Sequence, residues 1–197
     1  MLNQTNSMNT ETWIESIISK NTENKNMKIL FSIIMIFLGS LLLIASAKIK
    51  VPLYPVPMTL QPLAVLMIAM LFGRKLATLT VGLYILKGII GLPVFAFGGG
   101  LMYLMGPTGG FILGFFVSAF LVGYLADCGW GRKISLSIIS MLIGMAVIYI
   151  LGIFQLALLK GFNFALLEGF YPFLLGDLYK LLLAGIITPY IWKFLNN

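Results

Sequence analysis

Six apolar runs follow a polar first 27 residues, separated by short polar or Gly/Pro-rich segments. They occupy 29–47, 60–72, 76–90, 111–126, 134–159 and 173–192. A straight membrane-crossing helix needs about 20 apolar residues, within a range of ~17–25. The second and third runs are marginal by that test and are expected to be tilted, shielded by neighbours or packed around a site. Glycines at 82, 88, 114, 123, 144, 152 and 185 permit close helix packing. The pattern predicts an all-α membrane protein with six transmembrane helices in a single domain, 28–197. Ahead of it, residues 1–27 form a polar tail. Within that tail Trp13, Ile14, Ile17 and Ile18 mark one apolar stripe, which suits a short interfacial helix. A mostly disordered tail is the alternative reading.

Composition sharpens the choice of solvent. The chain is 60% hydrophobic and 10% charged, where a soluble domain carries roughly 25% charge. Its mean hydropathy is +1.02. The net charge of +7 is spread singly or in pairs between the apolar runs, which suits topology rather than nucleic-acid binding. With the N-terminus placed in the cytoplasm, the inner segments carry Lys20, Lys25, Lys28, Arg74, Lys75, Arg132, Lys133 and Lys193. The outer ones carry Lys48, Lys50 and Lys160, with Lys87 close by. The bias predicts both termini inside.

Candidate chemistry is narrow. There is no His, and Cys128 is the single Cys, so no metal site is expected and the usual Ser/His or Cys/His catalytic pairs cannot form. No GxxxxGK[ST] phosphate loop occurs. No enzyme is expected, and energy for active transport would come from a partner.

Three segments on the predicted outer side stand out. The stretch 48–62 has four prolines in eleven residues, which hold it extended. It leads into Thr59 and Gln61, isolated polar groups entering the second run. It reads as a wall or lid over a site, or as a rigid connector with Thr59 as a cap. The stretch 91–110 is apolar yet rich in Gly and Pro. Gly98, Gly99 and Gly100 are positioned to offer N–H groups, and Phe95, Phe97 and Tyr103 to pack on an apolar body. A packing loop is the plainer alternative. Finally, Asp177 and Lys180 sit at i and i+3 in the sixth run and share a face. Ionisable groups inside a span mark a functional site by default, although a self-contained ion pair is also consistent.

Four blocks, AKIKVPLYPVPMTLQPLAVLMIAMLFG, LYILKGIIGLPVFAFGGG, LMGPTGGFILGF and PFLLGDLYK, resemble the BioY family in order and spacing. These are the biotin-specific S components of energy-coupling factor transporters. The resemblance covers about residue 29 to the C-terminus. It implies a six-helix S-component bundle in the bacterial cytoplasmic membrane, with biotin bound near the external face. It also implies docking onto a transmembrane T component driven by two ATPase subunits, with no cofactor. The family's GD-x-x-K block maps its vitamin contacts onto Asp177 and Lys180. The Gly-rich and Pro-rich loops would close the pocket, and Tyr84 lies in the second block. In place of the family's Ala-x-x-x-Ala docking pattern on the first helix stand Gly39, Ser40, Ser46 and Ala47, small residues that permit close helix contact. An S component for another small vitamin, or a structural membrane subunit without a ligand, are the competing readings.

Overall fold

The computed structural model describes Thr12, Ile14, Ile17 and residues 24–195, with side chains to 193. Trp13 and Ile18 of the expected N-terminal stripe lie outside the described residues. Ile14 and Ile17 are helical, and Ile14 is buried.

Seven α-helices appear among the described residues. They are α1 (Lys25–Lys48), α2 (Gln61–Ile89), α3 (Leu101–Met105), α4 (Gly109–Asp127), α5 (Ile134–Lys160), α6 (Phe162–Gly169) and α7 (Tyr171–Leu195). Five of them, α1, α2, α4, α5 and α7, are long and apolar enough to cross a membrane. The first, fourth, fifth and sixth apolar runs thus each become one helix. The second and third share α2, which is broken at Gly73 (φ 74°, ψ 177°).

The break has a local cause. A left-handed φ is costly for residues with a Cβ but open to glycine. A Cβ at Gly73 would also run into the Asp127 carboxylate and the Thr12 side chain. Breaking a helix exposes N–H groups that a bilayer cannot satisfy. Here the Arg74 N–H donates to Asp127 Oδ1 at 3.2 Å, so the end of α4 caps the second half of α2. Gly123 lets α4 approach, since a Cβ there would stand 2.7 Å from the Arg74 backbone.

Helices α2, α4 and α5 form the centre of the bundle, with α7 against α5 and α1 against α2. At Gly114, α4 meets the backbone of α5, where an added Cβ would lie 2.8 Å from Ile148 Cα. Small residues are what allow such approaches when no hydrophobic effect drives helices together in lipid. Large apolar side chains cover the outside of the bundle, among them Ile33, Phe37, Leu41, Leu113, Phe154 and Leu183. That inverted surface suits lipid as solvent.

The Pro-rich stretch is a small hairpin. Strands β1 (Lys50–Val51) and β2 (Met58–Thr59) pair antiparallel, Lys50 with Thr59 and Val51 with Met58. Short helices α3 and α6 lie within connections that the apolar pattern left as loops.

Gly73→Ala is expected to destabilise by ~2 kcal/mol or more, combining a left-handed alanine with overpacking. Gly82→Ala, whose Cβ makes only an ordinary contact with Phe116, is the matched control and should be close to neutral. Thermal unfolding in detergent compares them, and equal midpoints would mean the break is not needed.

Candidate functional site

One end of the bundle holds a cavity with about 560 Å³ of atom-free space, part of it continuous with the exterior. Its walls come from five places. The hairpin and the start of α2 supply Val56, Pro57, Thr59, Gln61 and Pro62. The Gly-rich loop and α3 supply Ala96, Tyr103 and Thr108. Phe111, Ile112 and Phe115 come from α4, Ile148 and Tyr149 from α5, and Phe173 and Asp177 from α7. An apolar wall with a few placed polar groups is the usual form of a small-molecule site.

Asp177 is the charged group in that lining, and it is 5% exposed. Its carboxylate is held from two sides. Tyr149 donates its hydroxyl to Oδ2 at 2.7 Å, and Lys180 Nζ donates to Oδ1 at 2.9 Å. Lys180 Nζ donates also to the Thr59 carbonyl at 3.0 Å. Burying a carboxylate is costly unless it is paired and hydrogen-bonded, and this arrangement meets both conditions. Capacity remains for a ligand. Each carboxylate oxygen has a further lone pair, and Lys180 has a third proton beyond the two donated here.

A second polar relay runs behind the hairpin. Thr59 Oγ1 accepts from the Gln61 N–H at 3.2 Å, and Gln61 Nε2 donates to the Tyr84 hydroxyl at 2.7 Å. Tyr84 packs edge-on against Phe95 at 5.5 Å, and Phe95 stacks on Tyr103 at 5.0 Å. Tyr84 and Phe95 therefore support the wall, and Tyr103 forms it.

The loop wall is anchored by lysines. Lys48 Nζ donates to the Pro93 and Phe95 carbonyls, each at 2.7 Å. Lys50 Nζ donates to the Ala96 carbonyl and lies 3.8 Å from the Phe97 ring centroid. On the far side, Gln155 Nε2 donates to the Leu104 and Gly106 carbonyls at 2.8 and 2.7 Å. Non-helical backbone at membrane depth needs such partners.

The site residues expected from the sequence separate into three groups. Asp177, Thr59, Gln61 and Tyr103 line the cavity, with Lys180 bonded to two of them. Tyr84 and Phe95 stand behind it. Phe97, Gly98, Gly99 and Gly100 are not among its lining residues. Phe97 is exposed and covers Lys50, and the Gly100 N–H is spent on the Gly88 carbonyl at 2.7 Å. Gly99 packs where a Cβ would strike the Leu92 carbonyl, so its role here is a tight turn.

The residues of the expected docking stripe are packed inside the chain. Gly39, Ser40, Ser46 and Ala47 are buried within the chain. A Cβ at Gly39 would stand 2.8 Å from Thr80 Cγ2, and Ser40 Oγ accepts from Lys87 Nζ at 2.8 Å. Gly39 and Ser40 thus let α1 lie close on α2.

Tyr149 went unnoticed in the sequence, as did the aromatic wall of Phe111, Phe115 and Phe173. A faint signal existed for Tyr149, the hydroxyl-bearing aromatic in the longest apolar run. The Phe residues are typical of any span and carry none.

The profile of the BioY family matches residues 19–197. A "Biotin transporter BioY" of Thermotoga maritima is 45% identical over 118 residues, covering 58% of this chain and 68% of that protein. A "Probable biotin transporter BioY" of Pyrococcus horikoshii is 38% identical over 112 residues, covering 56% and 65%. One from Rhizobium etli, named "Biotin transporter BioY", is 35% identical over 136 residues, covering 65% and 70%. The matched stretches thus span about two thirds of these relatives. Among solved structures, the S-component for biotin from an ECF-type ABC transporter superposes with a TM-score of 0.76. It is 24% identical, with 87% of this chain and 95% of that one covered, and establishes a shared fold.

A double-mutant cycle of Tyr149→Phe and Asp177→Asn should show a coupling of ~1–2 kcal/mol in unfolding, as for a hydrogen bond to a buried charge. Additive effects would dissolve the link.

Proposed function

The chain belongs to the BioY family, and from that premise we propose that it is the biotin-capturing S component of an energy-coupling factor importer. The observation that carries this reading is Asp177, a buried carboxylate lining an apolar cavity at one end of a membrane-type bundle, with Lys180 and Tyr149 holding it. The names of the relatives support biotin as the ligand. In this reading the two halves of α2 cross as separate short helices, giving six spans. Both termini face the cytoplasm, and the cavity faces outward in the bacterial cytoplasmic membrane. A transmembrane T component and two ATPases supply the energy. The described domain acts as one unit, with the tail ahead of it.

The chemistry matches the ligand. Biotin's ureido ring carries two N–H donors and a carbonyl acceptor. Asp177 accepts from an N–H, and the remaining Lys180 proton reaches the carbonyl. Charge-assisted bonds of this kind are strong. The fused rings pack on Phe111, Phe115 and Phe173, with Tyr103 above them. The Pro-rich hairpin and the loop held by Lys48 and Lys50 close over the ligand. Both are pre-ordered, so little conformational entropy is lost on binding.

Calorimetry on the detergent-purified protein tests this. Wild type should bind biotin, and Asp177→Asn should weaken binding by ~10-fold or more, because a carboxylate accepts more strongly than an amide. Lys180→Ala should weaken it as well; unchanged affinity there would remove Lys180 from the site. A folded wild type that ignores biotin but binds another vitamin would keep the S-component reading and change its ligand. If Asp177→Asn alters unfolding but not binding, the pair is structural.

A further inference from the structure

Gln155 is the one amide side chain in the longest apolar run, and it lies half-buried on α5. An amide in a membrane span is costly unless its hydrogen bonds are met. Its Nε2 carries two protons and meets two carbonyls, Leu104 at 2.8 Å and Gly106 at 2.7 Å.

Those carbonyls close α3. A helix of five residues is too short to hold itself, and its last four carbonyls lack partners within the helix. The Gly106 N–H takes the Tyr103 carbonyl at 3.2 Å, and Gln155 takes that of Leu104. The Gly106 carbonyl is shared between Gln155 and the Gly109 N–H, the latter at 3.1 Å. One amide therefore ties the end of α3 to the start of α4. Gly109 makes room for it, since a Cβ there would stand 2.7 Å from Nε2. The lysine anchors act ahead of α3, at the carbonyls of Pro93, Phe95 and Ala96, and so hold the other end of the loop.

The tied segment carries cavity wall on both sides of the amide, Tyr103 before it and Thr108 and Phe111 after it. Phe111 packs over Gly152 of α5, where a Cβ would strike its ring, and Tyr149 of α5 holds Asp177. Tyr149, Gly152 and Gln155 follow at intervals of three, about 9 Å of helix at ~1.5 Å per residue. α5 is thus a common gauge for the carboxylate on one wall and Tyr103 on another.

We infer that Gln155 is a positioning residue of this cavity. It is not among the lining residues, but it sets the place of Tyr103 and thereby how long a bound ligand is retained. This role rests on the S-component reading above, with biotin as the ligand. Without the amide, Tyr103 moves with an unanchored α3 and the ligand leaves sooner, while its encounter with the cavity changes little.

Gln155→Met keeps the length and apolar fit of the side chain and removes both donors. In the purified full chain without ligand, amide hydrogen exchange over 101–109 should rise by ~10-fold and stay as in wild type over β1 and β2. Biotin dissociation should be ~10-fold faster, as expected when buried carbonyls lose a donor. The same substitution should add little on a Tyr103→Ala background and act in full on Lys180→Ala. Dissociation at the wild-type rate in folded Q155M, a full effect on Tyr103→Ala, or exchange rising alike along the whole chain would overturn the role. The exchange readout needs no ligand, so a wild type that ignores biotin sinks the ligand reading alone. Even then, 101–109 staying protected in Q155M would overturn the hold on Tyr103, and lost protection there would uphold it. If Q155M fails to fold, Gln155→Asn, whose amide stops one methylene short, takes its place under the same expectations.

Discussion

Everything at the cavity end of the bundle turns on how one buried carboxylate is paired. Asp177 sits on α7 with 5% of its surface exposed. Its partners come from its own helix, from α5 and, through Lys180, from the hairpin. A lone carboxylate in that position would be prohibitive, and removing one member of a buried pair costs more than the pair contributes. The pairing therefore fixes the distance between three separate segments. The Pro-rich hairpin, which pairs through only two residues per strand, gains through Lys180 a tie to the helix opposite.

A second constraint operates at the other end. α2 must turn sharply inside an apolar bundle, where an unpaired N–H is costly. Gly73 provides the left-handed step, and Asp127 receives the freed N–H of Arg74. Gly123 brings α4 close enough for that to happen. The two carboxylates so serve different ends. Asp127 completes backbone that the fold breaks, and Asp177 remains with acceptor capacity facing a cavity.

Loops in this protein are as specified as its helices. Lys48, Lys50 and Gln155 direct their donors at carbonyls of the segment 93–106. Lys48 at the end of α1 and Lys50 in β1 thus act as loop anchors. Those anchors explain how an apolar Gly/Pro stretch whose one regular element is the five-residue α3 holds a single path.

Much of this was legible in the chain alone. Long apolar runs can satisfy their backbone in lipid only as helices, so the spans follow from hydropathy. An ion pair at i and i+3 in such a run is too costly to be incidental, so Asp177 and Lys180 stood out, and Thr59 and Gln61 did so as polar breaks beside a Pro-rich stretch. What the sequence by itself could not decide was direction. Small residues at 39, 40, 46 and 47 pack equally well against a partner or against α2, and hydropathy is the same for both. Phe95 and Phe97 differ by two positions, yet one is buried and the other exposed, because loop side chains have no period to read. Tyr149 became a partner of Asp177 only when α5 and α7 were laid side by side. Only the tertiary structure decides which donor faces which acceptor, because that depends on distances between segments far apart in the chain.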